Sequence, residues 1–232
     1  MWKKTIEEKS LKNKKEAEEQ LLDKAVPMNY YSSIGIVQNE IAKLGNNYII
    51  VAEGSNSMDI GRTILMNNMP RQRLDAGTFG TMGMAFGFGI VTAALYPKKK
   101  TVMVVGDSSF GFSCMEIETA ARYKLPLKVV IINNNGIGAG TEEIEKGMGP
   151  KEIAVLHLSP GAKYELIATA FGGQGVAVDT PEELRTTLNK ALQDDDLWVI
   201  NCRIDPYSAK KPQSFGWLTS KDTPLPSAPP KL

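Results

Sequence analysis

Short apolar runs rich in β-branched residues recur along the chain at Tyr48–Ala52, Thr101–Val105, Leu127–Ile132, Gly175–Val178 and Trp198–Ile204. Thr101–Val105 and Leu127–Ile132 in particular are apolar, β-branched runs typical of parallel strands covered on both faces. Between them, apolar residues return every three or four positions, which predicts helices over Tyr30–Leu44 (ending at Gly45), Gly61–Asn67, Thr81–Leu95, Cys114–Tyr123, Tyr164–Phe171 (closed by Gly172-Gly173) and Pro181–Leu192. The last of these carries Thr180 as its cap and Pro181 at its first position. Strands alternating with helices through short connections predict an α/β fold, a doubly wound, mainly parallel sheet with helices on both faces. No internal sequence repeat is present.

The two ends differ from this pattern. Residues 3–24 are rich in Lys and Glu, with only Ile6, Leu11, Ala17 and Leu21 as apolar contacts, so residues 1–26 read as a charged helical linker. Residues 27–219 then form the globular unit, and 220–232 have the Pro/Ser composition of a flexible tail.

Composition narrows the function classes. Of the 232 residues, 42% are hydrophobic and 23% charged, as in an ordinary soluble globular protein. A net charge of +1 gives no electrostatic argument for nucleic acid or an anionic membrane as partner. The longest apolar stretch, Met82–Leu95, is too short to span a bilayer, and its Gly83, Gly87 and Gly89 point instead to close packing on a sheet or on a twin subunit. Cys114 and Cys202 lie far apart, which makes neither a metal spacing nor a disulfide framework and suits a reducing compartment. A single histidine, His157, excludes a zinc-protease or deaminase constellation.

The candidate chemistry lies in residues 106–136. Asp107 ends one predicted strand and Asn133-Asn134-Asn135-Gly136 ends the next, with one helical segment between them. The carboxyl ends of adjacent parallel strands border the crevice where open α/β sheets bind ligands, and a helix starting just after Asp107 directs N–H groups at an anion there. Mg²⁺ takes oxygen ligands in an octahedron shared with substrate phosphates. Asp107 offers a carboxylate, Asn134 an amide oxygen and Gly136 a backbone carbonyl. Singly, such an Asp is commonly an N-cap and such an Asn run a turn. Their joint spacing points to a diphosphate–metal site.

That spacing resembles the thiamine diphosphate signature, Gly-Asp-(Gly/Ser) followed by Asn-Asn, with Ser108 in the third position. The segments Glu53–Thr63, Pro70–Gly83 and Gly106–Gly136 resemble 2-hydroxyacyl-CoA lyase and its relative oxalyl-CoA decarboxylase. Met58–Thr63, Asn133–Ile137, Ala170–Gly173 and Thr180–Leu184 bring the resemblance nearer to the lyase, and it runs from about Trp2 to Thr219. It implies the C-terminal, diphosphate-side domain of a lyase that cleaves a 2-hydroxyacyl-CoA to an aldehyde and formyl-CoA, with thiamine diphosphate and Mg²⁺ as cofactors. The alternatives are oxalyl-CoA decarboxylation, or a non-catalytic or split-subunit cofactor-binding module.

The same resemblance assigns residue roles. Gly80, by its carbonyl, would hold the cofactor's 4′-amino group and Met82 would wedge between its rings, within the motif that includes Thr81 and Gly83. Without the resemblance, a Gly-rich turn and a Met read as tight packing. Asn56, Ser57 and Met58 would line the crevice, and Ser108 and Ser109 would give hydroxyl and amide donors to the diphosphate. Either Tyr30 or Tyr31 would reach the cofactor, unless the pair packs a helix. Where the family carries Tyr after Gly-Ile this chain has Gly138, and the loop through Met148 also differs.

Family members take an activating glutamate from a pyrimidine-binding domain, and none of Glu40, Glu53, Glu116 or Glu118 is assignable to that task. The implied partners are therefore an acyl-CoA substrate, a pyrimidine-binding domain in a fuller chain or a separate subunit, and a second copy in a homo-oligomer. The terminal Pro-Lys-Leu differs at one position from the Ser-Lys-Leu peroxisomal address, so the expected location is peroxisomal or cytoplasmic.

Overall fold

A computed structural model describes residues 2–21, 24–138 and 156–208. Its centre is one sheet of six strands: β1 (Tyr48–Glu53), β2 (Arg73–Asp75), β3 (Lys100–Gly106), β4 (Lys128–Asn133), β5 (Gln174–Val178) and β6 (Trp198–Arg203). Their order is β2-β1-β3-β4-β6-β5, and every pairing is parallel. Among the described residues the helices are α1 (Trp2–Leu21), α2 (Tyr30–Ala42), α3 (Ser55–Ile64), α4 (Ala85–Leu95), α5 (Asp107–Ser113), α6 (Glu116–Arg122), α7 (Leu166–Ala170) and α8 (Pro181–Gln193).

The unbroken apolar runs are explained by two cores. Successive strand side chains point to opposite faces, so Ile50, Val102, Val104, Val130, Ile132 and Ile200 pack beneath α2, α3 and α8. Their neighbours Val51, Met103, Val105, Val129, Ile131 and Val199 pack beneath α4, α5, α6 and α7. Each such fully buried side chain contributes roughly 1.5–3 kcal/mol. In the second core Phe86, Phe110 and Tyr164 form an edge-to-face series with centroids 5.7 Å apart at each step.

Local sequence fixes several boundaries. Asn29 caps α2, its Oδ1 accepting from the Ser32 N–H at 2.8 Å. At α8 the Thr180 Oγ1 accepts from the Glu183 N–H while Glu183 accepts from the Thr180 N–H, a capping box with Pro181 at the first helical position. Helix α1 is solvent-exposed along most of its length and carries the i,i+4 pairs Lys4–Glu8 and Lys12–Glu16. It docks through Leu21 onto α2, where a Cβ at Gly35 would lie 2.5 Å from the Leu21 Cδ2.

The structure departs from the sequence reading in four places. The edge strand β2 has no apolar run, being Arg-Leu-Asp, and exists because β1 offers it a hydrogen-bonding edge. Helix α3 starts at Ser55 rather than Gly61, because Gly54 at φ +94 turns the chain sharply out of β1. Helix α4 starts only at Ala85, since Gly83 at φ +85 cannot continue a right-handed helix backward. The segment 107–123 holds two short helices, α5 and α6, rather than one over Cys114–Tyr123. Among the described residues no helix is long and apolar enough to cross a membrane. The tail at 220–232 and the loop from 139 to Met148 lie outside the described residues.

Candidate functional site

The sheet order places a topological switch between β1 and β3: from β1 the chain steps outward to β2, and everything after α4 builds on the other side. At such a point the loops leaving two neighbouring strands diverge to opposite sides and leave a crevice at their carboxyl ends. Tyr30, Gly54–Ser57, Gly106–Ser109, Asn134, Gly136 and Gly138 line it. The crevice holds about 20 Å³, room for one small ion or water. A larger cavity of about 500 Å³, bordered by Lys124, Phe171 and Asp195, contains none of these residues.

Asp107 is 1% exposed. One carboxylate oxygen accepts from the Ser108 N–H at 2.8 Å and the other from the Gly136 N–H at 3.0 Å, tying the ends of β3 and β4 together. Burial pushes its pKa up to about 6 against the pull of these backbone donors. At neutral pH the group is therefore an ionised carboxylate held out of water, and among the described residues no Lys or Arg lines the crevice beside it. The sign follows from linkage: the raised pKa means the native state loses stability as pH rises from the ordinary Asp range through about 6. A bound cation relieves that cost.

Oxygen donors converge beside it. The Asn134 Nδ2 donates to the Gly138 carbonyl at 2.8 Å, which leaves the amide Oδ1 as the acceptor end. The Gly136 N–H is spent on Asp107, and its carbonyl accepts no hydrogen bond from a described residue. Asn135 sits at φ +59, and its loop is closed by an isolated bridge between Gly136 and His157. One carboxylate, one amide oxygen and one carbonyl among the lining residues are the donor types a hard cation takes, alongside phosphate oxygens and water. Among the described residues no three His, Cys, Asp or Glu side chains converge into a self-sufficient metal cage.

The opposite wall fits an anion. The Ser109 Oγ is buried and has no hydrogen-bond partner among the described residues. A Cβ on Gly54 would lie 2.4 Å from it, and one on Gly106 3.4 Å, so glycines keep this hydroxyl approachable. The Ser108 N–H is turned to Asp107, which leaves its hydroxyl for a ligand. Of the two tyrosines, Tyr30 directs its hydroxyl to the Gly138 carbonyl at 3.4 Å, and burial holds its pKa above the ordinary tyrosine value. Tyr31 packs half-buried against the core under α2 and α8.

The Gly80–Gly83 loop is separate. Gly80, Thr81, Met82 and Gly83 do not line the crevice, and Met58 is buried on α3 away from it. The loop is anchored by Glu53, the last residue of β1 and 1% exposed, which accepts from the Gly83 N–H at 2.6 Å and the Ala85 N–H at 2.5 Å. Glu53 thus caps α4 and hangs the loop on the same strand end that supplies Gly54–Ser57. Burial raises its pKa, outweighing the donors at Gly83, Ala85 and Met84. The sequence reading missed this function for Glu53; the one available signal was a charged residue ending a strand that is otherwise apolar but for Tyr48. It also missed the buried amides Asn133 and Asn201 behind the Asn134 loop.

Comparison with known proteins agrees with this geometry. Residues 52–202 match the family described as "Thiamine pyrophosphate enzyme, C-terminal TPP binding domain". The chain is 44% identical over 229 residues to 2-hydroxyacyl-CoA lyase 1 of Mus musculus, covering 94% of this chain and 39% of that protein. It is 36% identical over 207 residues to oxalyl-CoA decarboxylase of Escherichia coli K12, covering 89% of this chain and 36% of the relative. The chain therefore spans less than half the length of these relatives. Among solved structures, a Rhodococcus jostii thiamine diphosphate-dependent 4-hydroxybenzoylformate decarboxylase superposes with a TM-score of 0.65 at 21% identity, over 79% of this chain and 34% of that one, which shows the shared fold. With a polar crevice lined by Asp107, Asn134 and Ser109 at the sheet's switch point, and residues 52–202 matched, the chain belongs to the thiamine pyrophosphate enzymes as their C-terminal TPP-binding domain.

Proposed function

We propose that this domain serves a thiamine diphosphate-dependent carbon–carbon lyase that acts on 2-hydroxyacyl-CoA, and that Asp107, Asn134 and the Gly136 carbonyl hold Mg²⁺ against the cofactor's diphosphate. The observation that carries the metal assignment is Asp107 itself, a buried carboxylate with no cationic neighbour among the described residues of its crevice, which Asn134 and Gly136 also line. Ser108, Ser109 and Asn56 supply polar contacts to the diphosphate, and Tyr30 closes the crevice by its link to Gly138. Gly80 and Met82 orient the organic part of the cofactor, with Glu53 fixing their loop. When bound, thiamine diphosphate supplies the electron sink that C1–C2 cleavage needs.

Two features support a partner. Among the described residues Asp107 is the one carboxylate lining the crevice, which supports an activating glutamate supplied by a pyrimidine-binding domain. Phe79, Val91, Leu95, Phe112 and Met115 are exposed on the α4–α5 side, an apolar face suited to that domain or to a second copy in a homo-oligomer. Both cysteines are free, as suits a reducing compartment, peroxisomal or cytoplasmic.

The metal assignment is tested by calorimetric titration of thiamine diphosphate into the full chain with and without Mg²⁺. Asp107→Ala should lower the Mg²⁺-dependent affinity at least about 100-fold, more than loss of an outer-shell partner does. Unchanged affinity would overturn it. Formyl-CoA production from 2-hydroxyacyl-CoA and from oxalyl-CoA, with a pyrimidine-domain partner present, separates lyase from decarboxylase, and no turnover of either would leave a binding module.

A further inference from the structure

Behind the Asn134 loop runs a buried chain of side chains, none of which lines the crevice. The Asn133 Nδ2 donates to the Asn201 Oδ1 at 2.9 Å, and the Asn201 Nδ2 donates to the Glu165 Oε2 at 2.8 Å. At the loop end, the Asn133 Oδ1 accepts from the Asn135 N–H at 2.9 Å. Asn133 is 6% exposed, Asn201 1% and Glu165 9%. The chain spans β4, the neighbouring β6 and the residue before α7. There the backbone is closely packed as well, since a Cβ on Gly175 would lie 2.1 Å from the Glu165 carbonyl oxygen.

The chain has a direction. A carboxylate offers only acceptors, so Glu165 turns the Nδ2 of Asn201 toward itself and the Oδ1 toward Asn133. That oxygen turns the Nδ2 of Asn133 toward Asn201, which leaves the Asn133 Oδ1 for the Asn135 N–H. Holding this N–H supports Asn135 at φ +59, a conformation non-glycine residues adopt reluctantly. Asn135 lies between the two residues whose oxygens face the crevice, Asn134 and Gly136, and the Gly136 N–H reaches Asp107. A buried polar series in which the members satisfy one another is costly to break and fixes one arrangement.

We propose that Glu165, Asn201 and Asn133 are positioning residues, a directional hydrogen-bond relay from the far side of β6 that sets the geometry of the Asn134–Gly136 metal loop. The proposal rests on the metal-site reading above. It predicts that polarity, and not packing alone, is what the loop needs. In Asn133→Asp the new carboxylate still accepts from Asn135 but cannot donate to Asn201. Asn201 must then turn its oxygen against the Glu165 carboxylate or face Asp with its own. Adding Glu165→Gln reverses the whole series: Gln donates to the Asn201 Oδ1, the Asn201 Nδ2 donates to Asp, and Asp accepts from Asn135.

The test uses the full chain, with two readouts. Hydrogen exchange of the 133–138 backbone, measured without ligand, reports the relay directly. Mn²⁺ affinity in the presence of thiamine diphosphate, followed by electron paramagnetic resonance, reports the site. Asn133→Asp should accelerate exchange in 133–138 and weaken Mn²⁺ binding by about 10–100-fold, the range for outer-shell partners of metal ligands. The Asn133→Asp/Glu165→Gln double variant should recover both to within about threefold. A double variant no better than the single one, or single variants that lower the unfolding midpoint without changing exchange or affinity, would overturn the relay. Relay-dependent exchange in a wild-type chain that binds no Mn²⁺ would uphold the relay and overturn the metal reading instead.

Discussion

Replacing Glu53 tests whether one buried carboxylate organises the Gly80–Gly83 loop. Its two oxygens accept from the Gly83 and Ala85 N–H groups at 2.6 and 2.5 Å, and the residue is 1% exposed. In Glu53→Ala both donors lose their buried acceptor. At about 1–3 kcal/mol for each of the two orphaned buried donors, with the cavity left by the side chain added, the expected loss is about 3–7 kcal/mol. Glu53→Gln keeps the volume and one acceptor, turns an NH₂ toward the other N–H, and should cost about 1–2 kcal/mol at pH 7.

The pH dependence of that smaller cost has a definite sign. Because burial raises the Glu53 pKa, the wild-type native state holds its proton more tightly than the unfolded state does. Wild-type stability from this group is greatest below the ordinary Glu range and declines as pH rises through the raised value. Gln does not titrate, so the gap between wild type and Glu53→Gln should narrow from pH 4 to pH 7. Urea unfolding at several pH values measures the gap, and hydrogen exchange over 77–85 measures the loop. A gap that widens with pH, or a Glu53→Ala loss below about 1 kcal/mol with unaltered exchange, would refute the anchoring role.

Two other positions give sharp outcomes. Gly175→Ala places a Cβ 2.1 Å from the Glu165 carbonyl oxygen and 3.1 Å from the Thr169 Cγ2, so backbone must shift; thermal unfolding should show a loss of about 3 kcal/mol, and a tolerated substitution would contradict the packing of α7 on β5. Lys128 is fully buried, and burial together with Lys100 lowers its pKa to about 8, so the native state binds fewer protons than the unfolded state between about 8 and 10.5. Stability should rise across that window by up to about 3 kcal/mol in wild type and not in Lys128→Met, as read by urea unfolding at pH 7, 9 and 10.5.

Features governed by neighbours in sequence were legible in the sequence. The β-branched runs specify strands because a two-sided parallel sheet buries both faces of its central strands, and Thr180 with Pro181 marks the start of α8 without reference to the rest of the fold. Asp107 and Asn134 stand at consecutive strand ends, so parallel pairing alone brings their loops together. Features governed by contacts across the sheet were not. The strand β2 carries no pattern of its own and exists as an edge on β1. The choice between Tyr30 and Tyr31 depends on the rotation of α2 over the core, and Glu53 acquires its role from N–H groups 30 and 32 residues away. The relay joins residues 68 and 36 positions apart, which no local window relates. The sequence by itself determined the alternation of elements and the chemistry at two strand ends, because propensity, capping and burial act over a few residues. Only the tertiary structure decided which polar side chains meet, because a buried hydrogen bond forms where strand order and helix docking bring its partners within 3 Å.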